Sequence, residues 1–269
     1  MKKPSYLLAL DGTSESRAAA YLAWNLAHKT GARVVAQHVI NAKDIWRFLR
    51  PRSAGFIGSG LYVEAFEHVT KGLRSIGEAL MMSYNAQVEG QNIDSVTYID
   101  EGDLVSQICK RAQESDLLII GHRPSTLPSK ETDNTYSLCE ELIEVCPCPM
   151  LIVTASCPNL NKLRLRLFTG QTDARSIESL NKFVHSLDLP VLIELSSSIP
   201  VKELDKLKKQ LLTTGAQNNE FFPNDSQKDS SSSNEMLAMI SSYNQTKQSK
   251  NELFSHMNNL LQPATLIWR

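Results

Sequence analysis

The chain has 269 residues, 42% of them hydrophobic and 21% charged, with a net charge of −1. That length suffices for one large or two ordinary domains and for a sizeable core. The even charge argues against a surface built for nucleic acid or anionic lipid, and no apolar stretch approaches the ~20 residues of a membrane helix.

MKKPSYLLALDG opens the chain with two lysines and a short apolar run broken by Asp11, which predicts a first strand and not a signal peptide. Ser14 is a candidate cap for the next helix, in which Ala18, Leu22 and Leu26 share a face and Gly31 supplies a left-handed stop. RVVAQHVI reads as a buried strand. Phe66, Val69, Leu73, Ile76 and Leu80 then recur at spacings of three and four and predict the inward stripe of a long helix. SVTYID is a further strand, and Asp103 caps a helix carrying Leu104, Ile108 and Ala112. DLLIIG, a helix predicted over Thr135–Val145 and PMLIVT complete the pattern. Strands alternating with helices imply a parallel sheet with right-handed crossovers.

The second half repeats the plan in eroded form. LRLRLF is a strand, Ile177, Leu180, Val184 and Leu187 face one way on a helix, and PVLIEL corresponds to RVVAQHV. Leu204, Leu207 and Leu211 form a stripe ending at Gly215, and EFF is a candidate third strand. Residues 225–234, DSQKDSSSSN, carry too little apolar surface to pack and predict a mobile loop. No counterpart of DLLIIG is evident after it. NELFSHMNNLL and ATLIWR mirror the 135–145 helix and PMLIVT. The boundary falls near residues 154–162, which divides the chain into residues 1–155 and 160–269.

The first half resembles the universal stress protein family along its whole length. ALDGTSES, QHVI and the loop from Gly121 to Asn134-Thr135 before CPCPMLIV carry the resemblance. It implies two tandem α/β domains of Rossmann-like, adenine nucleotide α-hydrolase-like type, each an open five-stranded, mostly parallel sheet with helices on both faces, the second copy degenerate. It also implies a cytoplasmic stress-response protein that can bind ATP, ADP or AMP, with Mg, and an intramolecular pseudo-dimer joined through the last strand of each half. Protein partners are expected but not named by the sequence.

Members of that family that bind ATP use a G-x2-G-x9-G-[S/T] loop. Here the spacing survives as Gly121, Pro124, Asn134 and Thr135, with two of the glycines replaced. Asp11 and Val39 match positions that contact nucleoside, the latter through its backbone, and Ala9 lies beside them. In an open α/β sheet these strand ends converge on one crevice. Pro124 offers no N–H to a phosphate, whereas Asn134 still tolerates the left-handed region and can cap a helix. Thr135 and the amides near it suit an anion, and His122, expected exposed on the loop, is within reach of a phosphate. In the second half Thr169 stands at the Asp11 position, and nothing there resembles the phosphate loop.

Other chemistry is thin. Five cysteines (Cys109, Cys139, Cys146, Cys148 and Cys157) make no CxxC pair and no even framework, so reduced thiols are expected. Cys146-Pro-Cys148 lacks a His or Cys cluster to complete a metal site and reads as packing. The histidines show no HExxH spacing, and no Walker loop, GxSxG elbow or GxGxxG is present. No acid/base partner for Asp11 is evident. The leading reading is therefore a regulatory binding module. A weak ATP-hydrolysing enzyme on the same fold and a ligand-free interaction scaffold are the alternatives.

Overall fold

The computed structural model describes residues 3–49, 60–122, 137–154, 162–167, 180, 182–183, 185–187, 191–195, 220–223, 235–240 and 264–268. The expectations for Pro124, Asn134, Thr135, Thr169, the 204–215 helix, the serine tract and NELFSHMNNLL lie outside these residues.

The first half alternates as expected. Strand β1 (Ser5–Ala9) leads into α1 (Ser14–Thr30), then β2 (Arg33–Asn41), a short α2 (Ala42–Leu49) and the long α3 (Gly60–Glu89). Strand β3 (Ser95–Gly102), α4 (Leu104–Ala112), β4 (Leu117–Gly121), α5 (Leu138–Val145) and β5 (Met150–Val153) follow. Beyond them lie β6 (Lys162–Leu167), β7 (Val191–Leu195), β8 (Glu220–Pro223), β9 (Glu235–Ile240) and β10 (Ala264–Trp268).

All ten strands join one sheet in the order β3-β2-β1-β4-β5-β10-β9-β6-β7-β8. Every neighbouring pair is parallel except β5 and β10, which run antiparallel with Val153 opposite Ala264 and Met150 opposite Ile267. The apolar strand MLIV thus has a partner on each edge and is buried throughout. Strand β9, EMLAMI, fills the place for which the sequence offers no evident counterpart of DLLIIG. It lies between β6 and β10, as β4 lies between β1 and β5.

Alternation along the central strands feeds two cores. Tyr6 and Leu8 of β1, Leu117 and Ile119 of β4, and Leu151 and Val153 of β5 face α1 and α3. Leu7, Leu118, Ile120, Met150 and Ile152 face α4 and α5. Both faces of β4 are covered, which explains why DLLIIG is apolar without alternation. Leu180 and Leu187 of the second half close into the first of these cores, and Phe183 meets Tyr6 edge-on at 6.5 Å.

Helix α1 is alanine-rich on its buried side (Ala18, Ala19, Ala20, Ala23, Ala27), so its backbone settles close to the sheet. Its cap is Thr13, one residue before the expected Ser14, because the Thr13 hydroxyl accepts the Ser16 N–H at 3.1 Å. Gly31 ends the helix at φ 67°, as expected. Helix α3 is rotated from the sequence expectation but not reversed. Phe66, Leu73 and Leu80 are half-buried, with Leu80 against the core, and Thr70, Gly77, Met81, Tyr84 and Val88 are the buried row, while Val69 and Ile76 are exposed at 42% and 63%. The reason is the partner: Gly77 lets α3 approach β2 where the His38 ring projects, since a Cβ there would meet the ring at 2.7 Å. Tyr84 reaches Trp24 of α1 in the same row.

Candidate functional site

Strand β1 has β2 on one side and β4 on the other, so chain order reverses between β1 and β4. A crevice opens at the carboxyl ends of strands at such a point. Ala9, Asp11, Val39, Gly121 and His122 all stand at these strand ends.

Past Ala9 the chain must turn sharply into α1. Gly12 makes the turn at φ 85°, a conformation open mainly to glycine. Asp11 stabilises it as an Asx turn: its Oδ1 accepts the Thr13 N–H at 2.9 Å and the Thr13 hydroxyl at 2.7 Å. The residue remains exposed. Asp11 therefore has a local structural role and still presents carboxylate to solvent.

The end of the β1–β2 ladder orients Val39. Gln37 C=O accepts the Leu10 N–H at 2.8 Å, and the next rung would run from Val39 to Leu10. Instead the Leu10 carbonyl lies 2.8 Å from His38 Nδ1. A carbonyl only accepts, so Nδ1 carries the proton and donates. Val39, two residues after Gln37, turns its backbone N–H and C=O to the same side, past the last β1–β2 pair at Ala9 and Gln37. The Val39 side chain packs with Ala9 against the α4–α5 core.

Gly121 sits directly under the first turn of α1. A Cβ there would come within 2.4 Å of the Glu15 carbonyl carbon and the Ser16 nitrogen. Helix–sheet packing alone thus demands glycine at this position. His122 continues the chain alongside β5, its N–H donating to Val153 C=O at 2.8 Å. It is half-buried, not exposed as expected. Burial pushes its imidazole below the usual histidine pKa, against the pull of Glu140 and Glu15. A neutral ring at pH 7 offers a phosphate a hydrogen bond but no charge.

The helix after the phosphate-loop region begins later than Thr135. Helix α5 opens at Leu138 with Ser137 as cap, because Ser137 and Glu140 form a reciprocal capping box. The Glu140 side chain accepts the Ser137 N–H at 2.7 Å. At the far end of α5, Cys146 and Cys148 are buried with sulfurs 3.9 Å apart. Burial pushes the Cys139 thiol up to about 12, and the Cys146 contact followed by burial raises Cys148 as well. These are packing thiols, not nucleophiles. Among the described residues no cluster of His, Cys, Asp or Glu could hold a metal ion.

A separate cleft of about 880 Å³ lies beside β3 and α4. Three cations that line it are already engaged: Lys3 and Arg33 with Asp94, and Arg111 with Asp100. Arg111 also lies over the Tyr98 ring, 3.7 Å from its centroid. It therefore carries little unspent charge for a ligand.

The universal stress protein family model matches residues 6–154, from β1 through β5. The chain belongs to the universal stress protein family. Likeness of structure extends further than the family match. A universal stress protein from Archaeoglobus fulgidus DSM 4304 superposes with a TM-score of 0.67 at 13% identity, over 98% of this chain and 95% of that one. A protein from Pseudomonas aeruginosa UCBPP-PA14 assigned to the same family gives 0.58 at 13% identity, over 98% and 92%. A family member from Arabidopsis thaliana with AMP bound matches at 12% identity over 58% of this chain and 95% of that one, with a TM-score of 0.36. No curated protein matches the chain. Among the described residues no helix is long and apolar enough to cross a membrane.

Proposed function

We propose that this universal stress protein is a tandem, two-domain member, residues 1–155 and 160–269, which acts in the stress response by binding and not by catalysis. The mirrored strand order supports the two-domain reading. β3-β2-β1-β4-β5 on one side of the antiparallel joint is answered by β8-β7-β6-β9-β10 on the other. In this reading the β5–β10 pair makes an internal pseudo-dimer, the second domain being a built-in partner that has lost its own site.

The first domain carries a weakened adenine-nucleotide site for ATP, ADP or AMP, with Mg where phosphates require it. Ala9, Asp11, Val39, Gly121, His122, Asn134 and Thr135 are its residues. The observation that carries this is the pairing of an exposed Asp11 carboxylate with the Val39 backbone directed past the end of β1. A carboxylate suits ribose hydroxyls, and a strand's backbone donor and acceptor suit a base edge. Gly121 supports the site indirectly by letting α1 settle over β4. Pro124 withholds one phosphate donor, which costs roughly 1.5–3 kcal/mol, about one to two decades of affinity.

Mass identification of small molecules released from the purified protein, with calorimetry of ATP and ADP, tests this reading. Nucleotide recovered or bound by the parent and lost in Asp11→Ala supports it. No binding to either protein favours the ligand-free scaffold. Turnover of ATP with Mg would favour an enzyme instead. A cytoplasmic location is part of the same proposal.

A further inference from the structure

A parallel sheet is ordinarily covered on both faces, yet α4 covers its side of the β2–β3 edge only in part. Arg33, Val35 and Gln37 of β2 alternate onto that side, as do Val96, Tyr98 and Asp100 of β3. Val35 lies opposite Val96 and Gln37 opposite Tyr98, so two cross-strand pairs form a floor. Gln37 is buried, whereas Val35 and Val96 are half-buried and Tyr98 is 39% exposed. Gln107, Lys110 and Arg111 of α4 make one wall, and Lys3 and Arg33 stand where the strands begin. The recess, about 880 Å³, is of a size that holds a small organic molecule.

We propose that this cleft binds a small organic monoanion, a carboxylate carried on a flat apolar body. Four cations line it against three carboxylates, Asp94, Asp100 and Glu114. The single surplus charge suits one carboxylate and not a polyphosphate. The inner groups are spent on each other: Arg111 donates to both Asp100 oxygens, and Gln37 Nε2 donates to the same carboxylate at 2.7 Å. Asp100 is thereby kept from repelling an anion, and Arg111 is held 3.7 Å over the Tyr98 ring. The outer end is different. Asp94 takes a hydrogen bond from Lys3 and meets Arg33 only at Nε, 3.6 Å away. The terminal guanidinium nitrogens of Arg33 thus remain as a fork for a carboxylate. Among the described residues Lys110 forms no salt bridge. From Arg33 the floor runs past Val35 and Val96 to Tyr98 over roughly 13 Å, at about 3.3 Å per residue along β2. A fused aromatic ring fits that span and meets Tyr98 edge-on. The cleft lies at the opposite end of β2 from Val39, so it is separate from the crevice and independent of any nucleotide.

Calorimetric titration of the full chain with 2-naphthoate tests the proposal, with neutral 2-naphthamide as its uncharged match. The expected result is saturable binding of one naphthoate per chain, with the amide about tenfold weaker. Arg33→Gln, on a half-exposed side chain, should weaken naphthoate about tenfold, leave the amide where it was and keep the circular dichroism spectrum unchanged. Lys110→Gln, an exposed change on α4, should also weaken naphthoate and not the amide. Arg47→Gln on α2 should alter neither. No saturable binding of naphthoate below about 1 mM overturns the proposal. Equal binding of acid and amide overturns the assigned charge. Naphthoate binding that survives both Arg33→Gln and Lys110→Gln, or that excess ADP displaces, puts the probe elsewhere and overturns the cleft as its site.

Discussion

Gly121 and Ser16 lie in backbone contact: a methyl group added to Gly121 would come within 2.4 Å of the Ser16 nitrogen. The relationship couples β4 to the start of α1 and places Asp11, at the turn between β1 and α1, over the same strand ends. Gly121→Ala should therefore destabilise the nucleotide-free protein. Overpacking typically costs about 1–3 kcal/mol, and a rigid backbone neighbour puts this case at the upper end. Urea unfolding of ligand-free protein checks it. An unchanged midpoint would mean that α1 can shift away from β4 without loss.

Asp11 holds the turn and, in the proposed site, the nucleoside. Asp11→Asn keeps an acceptor for the Thr13 N–H and hydroxyl, while Asp11→Ala removes it. The alanine variant should lose about 1 kcal/mol of stability and the asparagine variant less. Both should weaken ADP binding, because neither presents a carboxylate. Thr169→Ala in the second half should leave binding unaltered. Calorimetry and urea titration read the two effects separately.

The altered phosphate loop makes a complementary prediction, which rests on sequence because Pro124 and Asn134 lie outside the described residues. Pro124→Gly with Asn134→Gly restores one N–H and closer backbone approach. ATP binding should tighten by about one to two decades and adenosine binding much less, since these positions face phosphates. If the double variant binds ATP no better than the parent, the loop is a surface feature and the nucleotide reading loses its support.

Buried Trp24 and Tyr84 and half-buried Ser95 form a hydrogen-bonded chain linking α1, α3 and β3. Trp24 Nε1 donates to the Tyr84 hydroxyl at 3.2 Å, and that hydroxyl lies 3.0 Å from Ser95 Oγ. Tyr84→Phe strands the indole N–H inside the core and should cost about 1–3 kcal/mol. The loss should appear in the urea midpoint without a change in nucleotide binding.

Asp103 supplies a pH-dependent contribution. The Lys43 ammonium, then the Ser106 hydroxyl and N–H, hold its carboxyl down at about 2. A depressed carboxyl stabilises the fold above its unfolded value near 3.9 and loses that contribution as pH falls toward 2. Asp103→Asn keeps an N-cap but removes the charge. Its stability should match the parent near pH 2 and fall below it above pH 4. Unfolding curves at the two pH values decide the point.

Much of the first half is legible from residues that act on their immediate neighbours. Alternating apolar residues, the Gly31 stop and the Asp103 cap each express a preference settled within a few residues, and the βα alternation follows from them. The ALDGTSES and QHVI segments likewise point to the family from the sequence alone. Even locally, the caps of two helices are Thr13 and Ser137, where the side-chain hydrogen-bond geometry is met.

What tertiary structure decided concerns partners distant in sequence. Helix α3 has apolar residues on more than one side, and only the position of His38 and Trp24 determines that Gly77 and Tyr84 face inward. EMLAMI is made of good helix formers and became β9 because the slot between β6 and β10 demanded a strand. Gly121 looked like part of a phosphate loop, whereas its nearest constraint is the backbone of α1. His38 Nδ1 donating to the Leu10 carbonyl has no local signature at all. A chain encodes periodicity and capping within one turn or strand, but which face is covered, and by what, exists only once the elements are packed.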